Sequence, residues 1–597
     1  MNDKIPQPKQ RVITIENLQG GWVTDFTGAN YPKEGAPNQY GYSFGMSTMR
    51  PGRKGHIAPA EIFNGASITD SSGDIDSLPR AVTFDNSAVP NTEWYLTGGL
   101  SGTAPKVVQV VSGAVTDSGS GVSQLPHTIS APSGNFTTIP TNGTGYWGED
   151  ILIYNGMTGT TTPVRYVLYS YSTSASGYVG VWTIDGGDVL TDNFLGNNSS
   201  YPQGGDATLP TANVPHRMCI GPDNIMYMTN GQYLASYDAT PDQSASNGTW
   251  NHAALNLGFG WVATDVQPYG QEYVAISIVK TGTDSSGNTY FNGPQDCSDA
   301  RVVLWNGSDL DFSQLYYLDD WYCSSLKEVD GVLYAFTEGR NGTTKVKVLQ
   351  PWPPYFQTVW EQPTSIVGHA PLPNQVEYFN EMICWVAPMI GGVFVNGALN
   401  VYGLLPTQNG YTLHTPYFLY DGTNQLGGSP GLLKNTTGNK LFVGYNGTGY
   451  RLTGLVGDGQ SNGSAYAGAF ANNPPYTELR SVIQDNGYRG TIVGMKAYFS
   501  NFGSDSSMLI SLLPNHTKYT DGGSGTITGD QLDWAISTTT HPNITNTLTA
   551  SIAEIGGNRI TDISEFWLNI RSTISSASAN FPALRKLEIT VEEVFKP

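Results

Sequence analysis

The chain has 597 residues, a hydrophobic fraction of 39%, a charged fraction of only 13% and a formal net charge of −20. A single core does not grow to that length, so several domains or a repeat array are expected. The acidic balance argues against binding along a nucleic acid backbone, which needs dense Lys and Arg, and the supply of aromatic residues excludes wholesale disorder.

Polarity here comes from Ser, Thr, Asn and 71 glycines, with 36 prolines. These are turn formers and poor helix formers, so the expected fold class is all-β. The start, MNDKIPQPKQ, has no apolar core of a secretory signal, and no apolar run reaches about 18 residues. Membrane insertion is not expected, and synthesis in a cytoplasm is. The cysteines, Cys219, Cys297, Cys323 and Cys384, form no C-x-x-C pair, so neither zinc nor a redox motif is expected. Cys219 and Cys384 lie in apolar runs and read as buried thiols.

Residues 1–40 read as an N-terminal arm or first strand. The head of the chain carries Gly20-Gly21-Trp22, then Pro37-Asn38-Gln39, a hydrophobic stretch through Met46, and Arg50-Pro51-Gly52-Arg53. The glycine pair permits a sharp turn, and Pro51-Gly52 suits a type II turn. Trp22, Tyr40 and Phe44 can anchor a strand that closes a ring of sheets or pairs with a neighbouring subunit. Over residues 15–60 this pattern resembles the opening of tailed-phage virion proteins. Those begin with a GG-hydrophobic turn, a P-x-Q/E step, a strand and an R-P-G turn leading into a β-propeller. The chain departs from them at Phe44-Gly45-Met46, where the family usually carries an Asn. The resemblance implies a virion location and a structural role, most often at the tail, among other virion proteins. Ringed tails are symmetric, so a homo-oligomer is expected. The resemblance implies no catalytic residue and no cofactor.

From residue 41 to 465 a unit recurs: an apolar or aromatic run, Asn-Gly or Asp-Gly, and a second run. It appears at Asn155, Asn230, Asn306, Asp330, Asn396, Asp421 and Asn446. Asn or Asp before Gly supplies the positive φ angles of a type I′ turn, so each unit reads as a β-hairpin. A propeller blade takes roughly 40–50 residues, with a hairpin turn about every half blade. The spacings predict a propeller of six to eight blades; a string of β-sandwiches is the competing arrangement. Residues 112–145, 191–214 and 281–299 read as loop insertions on one face. Composition shifts at 456–476. After it, period-2 alternation as in LRKLEITVEEV predicts a C-terminal β-sandwich or jelly roll over 466–597.

Several segments carry residue types that chemistry uses. Asp70, Asp74 and Asp76 have alternating oxygen ligands, but a solvated turn is the simpler reading and no metal site is expected. Ser244 to Trp250 approaches a sialidase Asp box without its Asp. Asp309 with Asp311, and Asp319 with Asp320, are paired carboxylates of the kind a glycosidase uses. Capping turns beside a half-buried strand are the expected use of both pairs. Trp321 and Tyr322 in YYLDDWY, and Trp352 and Tyr355 in QPWPPYF, are the candidate contacts for a host-surface glycan or a partner. The histidines show no metal-ligand spacing. The chain is expected not to be an enzyme.

Overall fold

A computed structural model gives the fold. It describes residues 9–22, 39–40, 42–49, 54–67, 79–85, 92–97, 106–111, 114–115, 127–128, 147–158, 162–172, 177–183, 214–238, 249–283, 289–290, 296–339, 342–361, 371, 373–387, 398–408, 410–420, 431–435, 440–446, 450–455, 476–482, 489–500, 502, 506–514, 532–537, 540, 547–551, 565–574 and 582–594. Among them the regular structure is β, apart from a 3-10 turn at Pro373–Gln375, and no α-helix is present.

The chain separates into two compact units, one of residues 1–65, 387–425 and 455–597, the other of 66–386 and 426–454. The second unit holds successive antiparallel meanders. Sheet A is Trp147–Thr158, Thr162–Ser172 and Gly177–Thr183. Sheet B is Met218–Ile220, Met226–Asn230, Tyr233–Asp238 and Thr249–Asn256. Sheet C is Trp261–Tyr269, Tyr273–Lys280, Asp299–Trp305 and Gln314–Tyr317. Sheet D is Tyr322–Val329, Val332–Glu338, Thr344–Pro351 and Pro354–Glu361. A further hairpin, Val376–Phe379 with Met382–Ala387, follows.

Neighbouring sheets meet through their first strands, A on B, B on C, C on D, and D on the hairpin at 376. Consecutive four-stranded meanders joined in this way are the arrangement from which propellers are built. Sheet C is covered on both faces. Ile276, Ile278, Val303 and Trp305 pack with Leu234 and Leu255 of sheet B. Ala275, Val279, Val302 and Leu304 pack with Leu326, Leu333 and Phe356 of sheet D. That is why YVAISIV and ARVVLW are nearly continuous apolar runs rather than alternating ones.

A polar staple repeats between first strands. In sheet A the register shifts between Gly148 and Asp150; in sheet C it shifts between Ala263 and Asp265. Each Asp then accepts two backbone N–H groups. Asp150 takes Ile151 at 2.9 Å and Met218 of sheet B at 2.8 Å. Asp265 takes Val266 at 2.8 Å and Leu326 of sheet D at 2.7 Å. Each Asp sits opposite a serine, Ser170 or Ser277. A bulge re-aims a side chain, and here it turns a carboxylate onto the next sheet. Sheet D has its shift at the same place but carries Ser325, whose hydroxyl donates to the Pro371 carbonyl at 2.9 Å.

The hairpin turns follow the expected chemistry in part. Asp330 and Gly331 both have positive φ, 50° and 83°, as a type I′ turn requires. Asn230 is instead the last strand residue, paired with Tyr233, and Gly231 is the first turn residue. Asn155 and Gly156 lie within paired strand, opposite Arg165 and Val164. Asn306 opens a longer loop before Gln314. Asn380 and Glu381 form a tight turn with positive φ and no glycine. Asn396 and Asp421 lie outside the described residues, as do Asp70, Asp74 and Asp76, most of the three loop insertions, and 456–475 of the composition shift.

In the first unit, Lys9–Glu16 runs antiparallel to Ala583–Val594, from Lys9 opposite Glu593 to Glu16 opposite Lys586. The strand at 583 continues the sheet to Arg489–Ser500 and then to Thr547–Ser551. Leu587, Ile589 and Val591 are buried on one face, as their alternation predicts. A second sheet orders Tyr42–Phe44, Tyr476–Val482, Glu565–Ile574, Ser506–Pro514 and Leu532–Ser537. It buries Met508, Ile510 and Leu512 with Phe566, Leu568 and Ile570. The N-terminal segment is the one expected to close the ring of sheets or to pair with another subunit. Its strand Lys9–Glu16 pairs with the last strand of the same chain and forms the edge of that sheet. A backbone ladder between the chain ends is invisible to a reading that takes segments in order.

Candidate functional site

The four aromatic candidates do not form one site. The antiparallel meander of sheet D puts the start of its first strand at one end and its last hairpin tip at the other. Trp321 and Tyr322 lie at the first, Trp352 and Tyr355 at the second. Seven or eight strand residues separate the two ends, roughly 23–26 Å. Tyr322 is buried in the core between sheets C and D, and Trp321 packs against that core half-buried. Tyr322 therefore presents no ring face to solvent. Trp352 is 87% exposed and Tyr355 49%. Trp352 is the first residue of the two-residue tip between Pro351 and Pro354, Tyr355 follows Pro354, and the alternate residue Phe356 turns inward against Tyr316, ring centroids 6.0 Å apart.

The carboxylate pairs have structural work. Asp319 occupies a turn at φ 56°. Asp320 is buried and meets Lys345 Nζ at 2.9 Å, Lys347 Nζ at 3.0 Å and the Thr337 hydroxyl at 2.7 Å. Lys347 also donates to the Leu318 carbonyl. Burial pushes the Asp320 carboxyl up, but Lys345, Thr337 and Lys347 outweigh it and hold the group below the ordinary carboxylate range. A carboxylate so held is neither a raised-pKa general acid nor an open nucleophile. Asp309 accepts from Asn306 Nδ2 at 2.7 Å, and its carbonyl accepts from Trp305 Nε1 at 2.8 Å. Asp311 accepts its neighbour's N–H, Phe312, at 2.8 Å. Both are loop-capping residues, as expected.

A cavity of about 420 Å³ opens beside the turn residues of sheets B and C, lined by Pro222, Asp223, Glu272, Val274 and Asn306 among others. Asp223 is fixed there by the Tyr227 hydroxyl at 2.5 Å and by Ile225 N–H at 3.1 Å. Burial, then the Asp223 hydrogen bond, pushes the Tyr227 phenol up. The four cysteines are buried free thiols. Burial raises each of Cys219, Cys297 and Cys323, Cys297 to about 12, so none is poised as a thiolate nucleophile. Among the described residues no group of three or more His, Cys, Asp or Glu is placed to hold a metal ion.

One cluster escaped the sequence reading. The Arg301 guanidinium lies 4.5 Å from the Trp261 ring and 4.6 Å from the Tyr317 ring. Asp299 accepts from Arg301 Nε at 2.9 Å and from Nη2 at 2.6 Å. The signal was cross-strand register: Arg301 stands opposite Tyr317, and Asp299 lies two residues before Arg301 on the same face. Nothing in the local sequence brings Trp261, 40 residues upstream, to the same place.

No protein-family model and no curated protein sequence matches the chain. Among solved structures it is similar to the Dos1 propeller, at 12% identity and a TM-score of 0.34, over 64% of this chain and 94% of that one. It is similar to the Cps50 (Swd1) β-propeller domain of Myceliophteria thermophila, at 8% identity and a TM-score of 0.36, over 67% and 100%. It is also similar to a glycoside hydrolase family 43 arabinoxylan arabinofuranohydrolase from Bacillus subtilis, at 10% identity and a TM-score of 0.28, over 88% and 99%. Likeness at these TM-scores carries no argument about activity.

Proposed function

We propose that this chain is a non-enzymatic structural protein of a tailed-phage virion, located at the tail and assembled as a homo-oligomer with other virion proteins. The observation that carries the reading is the head pattern, Gly20-Gly21-Trp22 through Arg50-Pro51-Gly52-Arg53, with its resemblance to virion proteins of this kind. In this reading the meanders are blades of a β-propeller of six to eight blades. The two sheets of the first unit, each with one apolar face, pack as the C-terminal sandwich. The engagement of Asp320 by two lysines supports a structural over a hydrolytic use of the Asp319–Asp320 pair. Mass spectrometry of gradient-purified particles tests the proposal. The chain should co-sediment with them at a fixed stoichiometry; its absence from intact particles would overturn the reading. A second reading, recognition of a host-surface glycan, is favoured by the exposed Trp352–Tyr355 tip.

A further inference from the structure

We propose that the exposed end of sheet C, built from Phe259, Trp261, Arg301 and Tyr317, is a stacking site for a neutral pyranose of a glycan. The meander brings these residues together. Trp261 begins the first strand, Asp299 and Arg301 begin the third, and Tyr317 ends the fourth, so all stand at one end of the sheet. Phe259 sits in the turn just before Trp261. That turn closes with Trp261 N–H on the Gly258 carbonyl at 3.3 Å, and Gly260 supplies φ 81° at its third position. A type II turn needs that angle, and it leaves Phe259 at the apex.

Phe259 is 63% exposed and Tyr317 59%. Turn apices ordinarily carry small polar residues, and large apolar side chains left in water mark interaction sites when they cluster. The cluster is also held still. Arg301 lies between two rings and is fixed by Asp299 through two nitrogens, so Tyr317 presents its ring with little rotamer freedom left to lose on binding. Aromatic planes flanked by a guanidinium and a carboxylate match a pyranose, whose C–H face stacks on a ring while its hydroxyls meet planar polar groups. The Arg301–Asp299 pair is charge-balanced and the chain is acidic, so the site suits a neutral sugar rather than an acidic one. This site lies on sheet C, apart from the Trp352 tip of sheet D, and does not depend on a virion role.

The test is saturation-transfer NMR on the full chain with maltotetraose, cellotetraose and tetra-N-acetylchitotetraose at millimolar concentration. At least one probe should receive saturation. Phe259→Ala and Tyr317→Ala should each weaken its binding by about tenfold, the scale of one lost stacking contact. Leu310→Ala, in the exposed loop at the other end of sheet C, should leave it unchanged. Both stacking residues are more than half exposed, so the variants should keep the wild-type melting temperature, and Tyr317→Phe, which keeps the ring, should retain binding. Saturation of no probe, binding indifferent to both alanine variants, or binding weakened equally by Leu310→Ala would overturn the proposal. Each of those outcomes leaves the particle measurement above untouched.

Discussion

Replacing Asp320 with Asn should destabilise the second unit severely, while the same change at Asp319 should be nearly silent. Asp320 is buried against two lysines, and Lys347 is itself buried. The amide removes the negative charge and leaves a buried ammonium facing a neutral group. It retains one acceptor oxygen for two lysines and the Thr337 hydroxyl. Breaking a buried ion pair from one side costs about 3–5 kcal/mol. We predict about 3 kcal/mol for Asn, the low end, because part of the hydrogen bonding survives, and the upper end for Ala. For a unit of this size that is a fall in melting temperature of roughly 4–7 °C. Asp319 sits at φ 56°, where Asn is as well tolerated, so Asp319→Asn should change stability by less than about 0.5 kcal/mol. Urea titration followed by circular dichroism measures both. The pH dependence has a definite sign. The folded carboxyl of Asp320 is lowered, so its stabilisation is present above the ordinary carboxylate pKa near ~3.9 and is lost as pH falls through the folded value. Asp320→Asn should therefore flatten the acid limb of the stability curve. An Asp320→Asn midpoint within error of wild type would refute the reasoning, because the triad would then contribute nothing.

His414 gives a second pH prediction, in the first unit. It is buried, with Thr412 Oγ1 3.0 Å from Nε2 and Thr48 Oγ1 3.4 Å from Nδ1, and burial lowers its pKa to about 3. The folded state therefore holds it neutral. Its stabilisation is present above the unfolded value near ~6.5 and is lost as pH falls towards 3, by up to roughly 5 kcal/mol. His414→Gln should remove this dependence in a thermal-melt series from pH 7 to pH 4. Asp265 runs the opposite way. Burial raises it to about 7 against the two N–H groups it accepts and the nearby Arg217, so its stabilisation is full below about pH 4 and declines as pH rises to 7. Asp265→Asn turns an amide donor towards Val266 or Leu326, costing about 1–3 kcal/mol, and the Leu326 amide proton, less protected, should exchange faster by NMR.

Composition made the β class legible, because Gly, Ser, Thr and Asn disfavour helix throughout the chain. Asp330-Gly331 and the alternation of Leu587, Ile589 and Val591 were legible for the same local reason: one turn type or one strand period fixes them. What failed was not local. Asn155-Gly156 has the turn dipeptide yet lies in a ladder, where sheet packing overrides the preference of two residues. Asn380-Glu381 makes a turn with no glycine to signal it. The repeat that best relates sheets A and C is the bulged Asp with its partner Ser, at Asp150 and Ser170 and at Asp265 and Ser277. Those pairs are 20 and 12 residues apart, so no fixed spacing marks them. Aromatic density in sequence singles out YYLDDWY and QPWPPYF, and density also describes a core strand. That is why Tyr322 proved buried while Phe259, isolated between two glycines, proved exposed.

The most direct measurement is a cryo-electron-microscopy reconstruction of purified particles from cells producing the chain. We predict density for it at the tail, in symmetric copies, with blades of the four-stranded form of sheets B, C and D around a common axis. A particle whose tail is fully accounted for by other chains, with this one left behind in the lysate as a free monomer, would contradict the structural role.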